Sequence, residues 1–220
     1  MHIPDGYLSF EVAAAMWIIS AIFLWWCWSK AKKSYYKGLA SVLAISSAFV
    51  FVAQMLNFPI FYGTSGHLVG GTFLSVILGP YGAVLSMTIV LLMQAIFFAD
   101  GGLFALGANI FNMAVIGGLS FYIVKYIAGG SAGSKRFYLG VFIASWMSVF
   151  LGAFACGLQI GFSPVFSEAG GAAVTVPAML FWHSIIGICE AGLTTAFVTQ
   201  LQRVQPSILN GLAFLKRGAI

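Results

Sequence analysis

The first two residues of the chain, Met1 and His2, carry nitrogen atoms that could bind one metal ion together. The terminal amine, the deprotonated amide of His2 and the Nδ1 of its imidazole can close two fused chelate rings, with the nitrogens in one plane. Such surroundings suit Ni(II) and Cu(II), whereas tetrahedral zinc gains little from a plane. A histidine at this place is more often part of a frayed terminus. The turn sequence Pro4-Asp5-Gly6, however, favours an end that folds back over the protein.

Met1 is expected to remain as the mature first residue. Methionine aminopeptidase acts when residue 2 is small, and His2 is large. The first apolar stretch does not resemble a signal peptide, since no basic segment precedes it and the cluster KAKK at 30–33 follows it. That order predicts a retained membrane span with its N-terminus outside.

His67 is the candidate for the fourth corner of the square plane. It lies among Gly66, Gly70 and Gly71, and small neighbours allow another backbone to approach closely. Taken alone, it could equally be a hydrogen-bonded core histidine. Beside a chelator that offers three nitrogens and needs a fourth ligand, metal binding is the favoured interpretation.

The last apolar segment contains His183 and Glu190 in the stretch HSIIGICE. A helix would place both on one face, about 10 Å apart. Ionisable groups inside a membrane are costly and often functional, but the spacing is not HExxH, so a zinc protease is disfavoured. We expect a polar network that fixes the bundle or orients the ligands, rather than direct metal ligation.

Other polar side chains could hydrogen-bond to the metal ligands and orient them. Interhelical hydrogen bonding is at least as good an interpretation for each amide taken alone. Acidic residues near the outer face could instead act as oxygen ligands, with Asp5 and Asp100 as first candidates. The supporting candidates are Asp5, Gln54, Gln94, Asn109 and Asn112.

Composition sets the class of protein. Of 220 residues, 61% are hydrophobic and only 7% are charged, and the mean hydropathy is +1.01. These values lie far outside the range of soluble domains and predict an integral membrane protein. We expect one membrane domain over 1–220, with a chelating tip at 1–10, a bundle at 11–201 and a cytoplasmic tail at 202–220. The cysteines, Cys27, Cys156 and Cys189, are expected to be buried, reduced packing residues.

The apolar stretches predict an all-α protein with seven transmembrane helices. An extracytoplasmic N-terminus and a cytoplasmic C-terminus place all ten basic residues on the cytoplasmic side. The net charge is +5, and we expect the basic residues to contact anionic lipid of the bilayer and partner subunits rather than nucleic acid. The third helix covers only ~20 Å, so residues 57–66 are expected to dip into the bundle as irregular backbone and deliver His67. The predicted helices are 11–28, 38–56, 67–79, 82–99, 107–127, 137–160 and 176–201.

Four stretches of the sequence resemble hallmark motifs of the CbiM/NikM family, the substrate-capture (S) components of energy-coupling-factor (ECF) transporters for nickel and cobalt. They occur in the family's order and cover most of the chain. The resemblance implies a seven-helix, multi-pass protein of a prokaryotic plasma membrane, with its N-terminus tucked into the bundle. It also implies a metal held by the Met1 amine, the His2 amide and imidazole, and His67. The stretches are MHIPDGYLS, SGHLVGG, LGPYGAVLSMTIVLLMQAIFFADGGLFALGANIFNM and HSIIGICEAGLTT.

The leading hypothesis is therefore high-affinity capture of Ni(II) or Co(II), bound as transported substrate rather than as a catalytic cofactor. In the family, a transmembrane coupling (T) subunit and two cytoplasmic ATPase subunits drive uptake, often with a small additional membrane subunit. This agrees with the lack of a P-loop in the chain, which excludes ATP use by the chain alone. A self-sufficient cation channel or secondary transporter is the first alternative. An intramembrane metalloenzyme using His183 and Glu190 is the second, although no nucleophile accompanies them.

Overall fold

The structure, a computed structural model, describes residues 1–34, 39–55, 58–60, 64–66 and 68–209. Six apolar helices form most of this part of the chain, and five of them are long and apolar enough to cross a membrane. Two short strands, β1 (Phe58–Ile60) and β2 (Thr64–Gly66), pair antiparallel, with Phe58 opposite Gly66. The helices are α1 (Phe10–Ala31), α2 (Leu39–Met55), α3 (Gly71–Phe97), α4 (Leu106–Ala128), α5 (Lys135–Gly161) and α6 (Ala172–Val204).

The prediction of an all-α membrane protein is confirmed by these helices. Five of the seven predicted spans coincide with α1, α2, α4, α5 and α6 to within a few residues at each end. The number of seven spans, the sidedness and the division into tip, bundle and tail stay predictions. Helix α6 continues to Val204, past the predicted end of the bundle at 201, and residues 210–220 of the predicted tail lie outside the described residues.

Helix α3 covers the third and fourth predicted spans and is broken at Gly79, whose φ is 77° and ψ 168°. One side chain shows that the chain turns back there. Gln54 donates a hydrogen bond to the carbonyl of Val69, and it accepts one from Gln94. A continuous helix would separate residues 69 and 94 by about 37 Å. The element is therefore a helical hairpin with its bend at Gly79-Pro80, where the left-handed φ suits glycine and proline can begin a helix.

Two expectations for the region before α3 are wrong. The third helix begins at Gly71 rather than at residue 67, because the preceding residue has a backbone conformation that a right-handed helix does not allow. Gly70 has a left-handed φ of 76°. Residues 57–66 are not irregular throughout, since strands β1 and β2 fall within them. Their predicted descent into the bundle stays a prediction, and residues 57, 61–63 and His67 lie outside the described residues.

Close helix packing depends on small residues, as is usual in membranes. A Cβ on Gly71 would lie 2.6 Å from the Cα of Gly117, so α3 and α4 touch backbone to backbone at this point. Phe121 and Phe137 fill the interior beside them and are fully buried. The close contact fixes α4, whose first turns approach the N-terminus.

The cysteine prediction holds for two of the three residues. Cys27 and Cys156 are buried and unpaired, whereas Cys189 is exposed. Cys189 lies on α6, a helix whose apolar side chains, such as Phe181 and Ile185, largely face outward. In a membrane such a face contacts lipid or another subunit, so hydrophobicity alone did not identify the core.

Candidate metal centre

The first three residues of the N-terminal tip are packed into the bundle, whereas Pro4 and Asp5 are exposed. Met1 and Ile3 are buried, and the side chain of His2 is 7% exposed. The sulfur of Met1 packs over Gly152 of α5, where an added Cβ would lie 3.1 Å from it. The terminal amine and the imidazole of residue 2 are therefore both held away from bulk solvent.

Asn109 of α4 holds the backbone of Ile3 from both sides. The Ile3 N–H donates to Asn109 Oδ1 at 2.8 Å, and Asn109 Nδ2 donates to the Ile3 carbonyl at 3.1 Å. The N–H of Gly102 reaches the same carbonyl at 2.9 Å. Because the amide N–H of Ile3 is hydrogen-bonded to Asn109, this amide is not available as a metal ligand. The nitrogens left for a chelate at the terminus are the amine and the amide and imidazole of His2.

Asp5 fixes the other end of the tip. Its carboxylate accepts hydrogen bonds from the N–H groups of Leu103, Phe104 and Ala105 at 3.1, 2.8 and 3.2 Å. These groups immediately precede α4, where a negative charge also complements the helix dipole. Asp5 thus ties the tip to the segment before α4, and its oxygens accept from backbone donors. The positive φ of Gly6, 91°, completes the turn.

The loop between α3 and α4 wraps around the tip, and sequence reasoning overlooked it. A Cβ on Gly101 would lie 3.0 Å from Asn109 Nδ2 and 3.3 Å from His2 Cδ2. A Cβ on Gly102 would overlap the carboxylate of Asp5. The pair of glycines after Asp100 was the available signal, since adjacent glycines at the end of a span allow close backbone approach.

His2 lies between an amide and a carboxylate. Its Nε2 is 3.1 Å from Gln94 Oε1, and its Nδ1 is 3.7 Å from Asp100 Oδ1. Burial, followed by the nearby positive terminus, lowers the pKa of His2 to about 4, although Asp100 acts in the opposite direction. Burial also lowers the pKa of the Met1 amine below its ordinary value of 8.0. In both groups burial favours the neutral form, whose nitrogen lone pair can bind a metal.

Asn112 does not touch the tip through its side chain. It forms two hydrogen bonds with Gln159 of α5, one in each direction, at 2.7 and 2.9 Å. Both predicted asparagines lie at a six-residue π-helical segment of α4, Ile110–Val115, which directly follows Asn109. Such segments occur often at functional sites. Here Asn109 serves the tip and Asn112 joins α4 to α5.

His183 and Glu190 share α6 but are engaged separately. Both oxygens of Glu190 accept backbone N–H groups, from Val69 at 2.5 Å and from Gly70 at 2.8 Å. His183 Nδ1 lies 2.9 Å from the carbonyl of Met179 on its own helix. Glu190 therefore ties α6 to the backbone at Val69 and Gly70.

A cavity of about 360 Å³ adjoins the tip, and its lining includes Met1, His2, Cys156 and His183. Within the described part of the chain, no three side chains of His, Cys, Asp or Glu cluster as metal ligands. The nitrogen donors beside this cavity are the terminal amine, the amide and imidazole of His2, and the imidazole of His183.

Helices of membrane-spanning length and a buried, nitrogen-rich terminus define a multi-pass membrane protein with a candidate cation site at its N-terminal tip. Comparison with known families agrees with this class. The chain belongs to the CbiM family, described as the cobalt uptake substrate-specific transmembrane region, which matches residues 2–208.

Relatives and solved structures extend over most of the chain. The fused nickel transport protein NikMN of Rhodobacter capsulatus is 36% identical over 221 residues, which cover 95% of this chain and 64% of that protein. The cobalt transport protein CbiM of Acetohalobium arabaticum is 35% identical over 156 residues, covering 70% of this chain and 58% of that protein. The crystal structure of a transition metal transporter superposes with a TM-score of 0.84 and 36% identity, covering 99% of this chain and all of that one.

Proposed function

We propose that this chain captures Ni(II) or Co(II) as the membrane substrate-binding subunit of an ATP-driven ECF-type uptake transporter. The observation that carries the proposal is the buried tip, in which the amine of Met1 and the imidazole of His2 are held together by contacts from three helices and a loop. A terminus is rarely ordered in this way unless something ties it down. The names of the relatives, which concern nickel and cobalt transport, favour these two cations.

The proposed donor set consists of the Met1 amine, the amide and Nδ1 of His2, and the imidazole of His67. Three observations favour it. Burial lowers the pKa of both the amine and the imidazole, the amide of Ile3 is already engaged by Asn109, and Gln94 occupies the other ring nitrogen of His2. Four nitrogens in a plane suit Ni(II) and accept Co(II).

Charge balance supports the same arrangement. Bringing a divalent cation into a buried site is costly unless opposite charges accompany it. A deprotonated His2 amide supplies one negative charge, and the carboxylate of Asp100, 3.7 Å from Nδ1, supplies a second. Together they neutralise the ion without making Asp100 a ligand. We expect Asp100→Asn to weaken binding while leaving the donor set intact.

The proposed setting is a seven-span protein with an extracytoplasmic tip and a cytoplasmic C-terminus. The reversal of α3 at Gly79 favours seven spans, because it divides one long helix into two antiparallel segments. Uptake then requires a coupling subunit in the membrane and two cytoplasmic ATPase subunits, with a small additional membrane subunit as a further partner. The outward-facing side chains of α1 and α6, Trp25 and Phe181 among them, give lipid and partners an apolar surface.

Isothermal titration of the purified full chain with Ni(II) and Co(II) tests the donor set. We expect His2→Ala and His67→Ala each to remove most of the binding, since each takes away at least one nitrogen. His183→Gln is the matched control, because the third histidine of the chain lines the same cavity but is bonded to its own helix. If the His183 variant loses binding while the His67 variant keeps wild-type affinity, the proposed donor set is wrong.

Reconstitution in vesicles tests the dependence on partners. The chain alone should bind the metal without moving it across the membrane. Uptake should appear only when the coupling and ATPase subunits are added together with ATP. Rapid metal flux through vesicles that contain this chain alone would instead support the channel or secondary-transporter alternative.

A further inference from the structure

A continuous line of buried carboxamides leads from His2 to the backbone that follows residue 67. Gln94 Oε1 lies 3.1 Å from His2 Nε2, and Gln94 Nε2 donates to Gln54 Oε1 at 2.9 Å. Gln54 Nε2 then donates to the carbonyl of Val69 at 2.6 Å. Both glutamine side chains are completely buried, so water cannot substitute for any of these partners.

The direction of every hydrogen bond in this line is fixed from its far end. The carbonyl of Val69 can only accept, so Gln54 must present its NH₂ group there. The second hydrogen of that group faces the sulfur of Met87 at 3.4 Å, which is also an acceptor. The oxygen of Gln54 is therefore left for Gln94, and Gln94 must turn its own oxygen towards His2.

A carboxamide oxygen cannot donate, and this determines which nitrogen of the imidazole carries the hydrogen. A neutral imidazole has one donor and one acceptor nitrogen. With Gln94 Oε1 beside it, Nε2 must be the donor, and Nδ1 then carries the lone pair. Nδ1 is also the nitrogen that closes a chelate ring with the amide of the same residue.

Asp100 acts against this arrangement. Its carboxylate oxygen lies 3.7 Å from Nδ1, and a carboxylate near a ring nitrogen favours a hydrogen on that nitrogen. A hydrogen on Nδ1 would block metal binding by His2. The proposed metal site therefore needs the negative charge of Asp100. It also needs a hydrogen-bond acceptor that keeps the hydrogen of the His2 imidazole on Nε2.

We propose that Gln94 and Gln54 are positioning residues that hold His2 in the Nε2–H tautomer against the pull of Asp100, so that Nδ1 is ready for the metal. The purpose of this role, metal binding by Nδ1, rests on the proposed function. The tautomer itself can be measured without any metal. Glu190 takes part indirectly, because it binds the N–H of Val69, the residue whose carbonyl sets the direction of the line.

Nitrogen NMR of the metal-free full chain with isotope-labelled histidine tests the proposal. The ring-nitrogen shifts distinguish the two tautomers, and the chain has only three histidines, so the His2 signals are those absent from the His2→Ala spectrum. The wild type should show Nε2–H at His2. Gln94→Met, which keeps the volume but removes the acceptor, should shift His2 towards Nδ1–H. Gln94→Glu, which still offers an acceptor oxygen, should keep the wild-type tautomer.

Metal titration of the same variants gives a quantitative check. If the Nε2–H tautomer falls to about one tenth of the population, apparent affinity for Ni(II) should fall about tenfold, because only that tautomer is competent to bind. Gln54→Met should change the tautomer population and the Ni(II) affinity less than Gln94→Met does. In that variant the amide of Gln94 can present either its oxygen or its NH₂ group to His2. Adding Asp100→Asn to Gln94→Met should return His2 towards Nε2–H, because the opposing carboxylate is gone.

The outcomes separate this proposal from the proposed function. Wild-type His2 in the Nδ1–H form, or an unchanged tautomer in Gln94→Met with weakened metal binding, overturns the positioning role and leaves capture of metal standing. The predicted tautomer shifts in a wild-type chain that binds neither Ni(II) nor Co(II) would instead overturn the proposed function and leave the role of the two glutamines intact.

Discussion

Asn109→Ala should release the N-terminal tip and weaken metal binding. In the wild type the Ile3 N–H donates to Asn109 at 2.8 Å, and both residues are about 1% exposed. Alanine leaves that N–H without a partner, which costs about 1–3 kcal/mol for a buried group. The carbonyl of Ile3 keeps its bond from Gly102, so the loss on that side is smaller. A cost of about 2 kcal/mol raises the Kd for Ni(II) up to about 30-fold, and the full factor applies when the metal-free tip is released from the bundle.

Asn112→Ala is the matched control for this measurement. Asn112 lies three residues further along the same helix, is equally buried and also forms two side-chain hydrogen bonds, but its partner is Gln159. Both variants should lower the melting temperature, and only Asn109→Ala should raise the Kd in isothermal titration of chains with a native terminus. Equal affinities for Asn109→Ala and the wild type, or equal losses in both variants, would refute the role of Ile3 as the anchor of the tip.

Three further predictions concern the N-terminal amine, the pH dependence of metal binding, and Glu190. A single residue added before Met1 should abolish high-affinity Ni(II) binding in titration, because it turns the amine into an amide, whereas a C-terminal tag should have no effect. Because burial lowers the pKa of both the amine and His2, protons compete with the metal at these groups less strongly than at the free groups. The logarithm of the binding constant should therefore rise by less than two per pH unit between pH 7 and 8, whereas a slope near two would show an ordinary amine. Glu190→Gln should lower the free energy of unfolding by about 1–3 kcal/mol, since the amide NH₂ that replaces one oxygen would face the N–H of Val69 or Gly70, and should affect Kd less than His2→Ala does.

Much of the fold could be predicted because a bilayer fixes the length of its spans. Long apolar stretches with few charges indicated five of the helices nearly to their ends, and separate stretches at 67–79 and 82–99 anticipated the two segments of α3. Which side of each helix faces inward could not be predicted in the same way. In a membrane both the core and the lipid-facing surface are apolar, so the exposure of Cys189 and the burial of Cys156 have no signature in the sequence.

For the candidate site too, some features could be predicted from the sequence and others could not. The residue types of Met1 and His2 alone suggest a chelating tip, because that chemistry is local, and metal binding there stays a prediction. The partners of the tip were not predictable one by one, since Asn109 is 106 residues from Ile3 and Gln94 is 92 from His2. Other amide side chains in the predicted spans, such as that of Asn112, look the same in the sequence as those that contact the tip, but they join helices to each other. Only their positions in the folded chain separate the two roles.

X-ray absorption spectroscopy of Ni(II) bound to the purified chain with its native terminus tests the central claim most directly. The proposed ligands predict four nitrogen neighbours in a square plane, two of them from the imidazoles of His2 and His67. The competing donors nearby are sulfurs, since Met1 and Cys156 line the same cavity as the imidazole of His2. A sulfur neighbour, or six oxygen-rich ligands in an octahedron, would contradict the claim that the terminus itself chelates the metal.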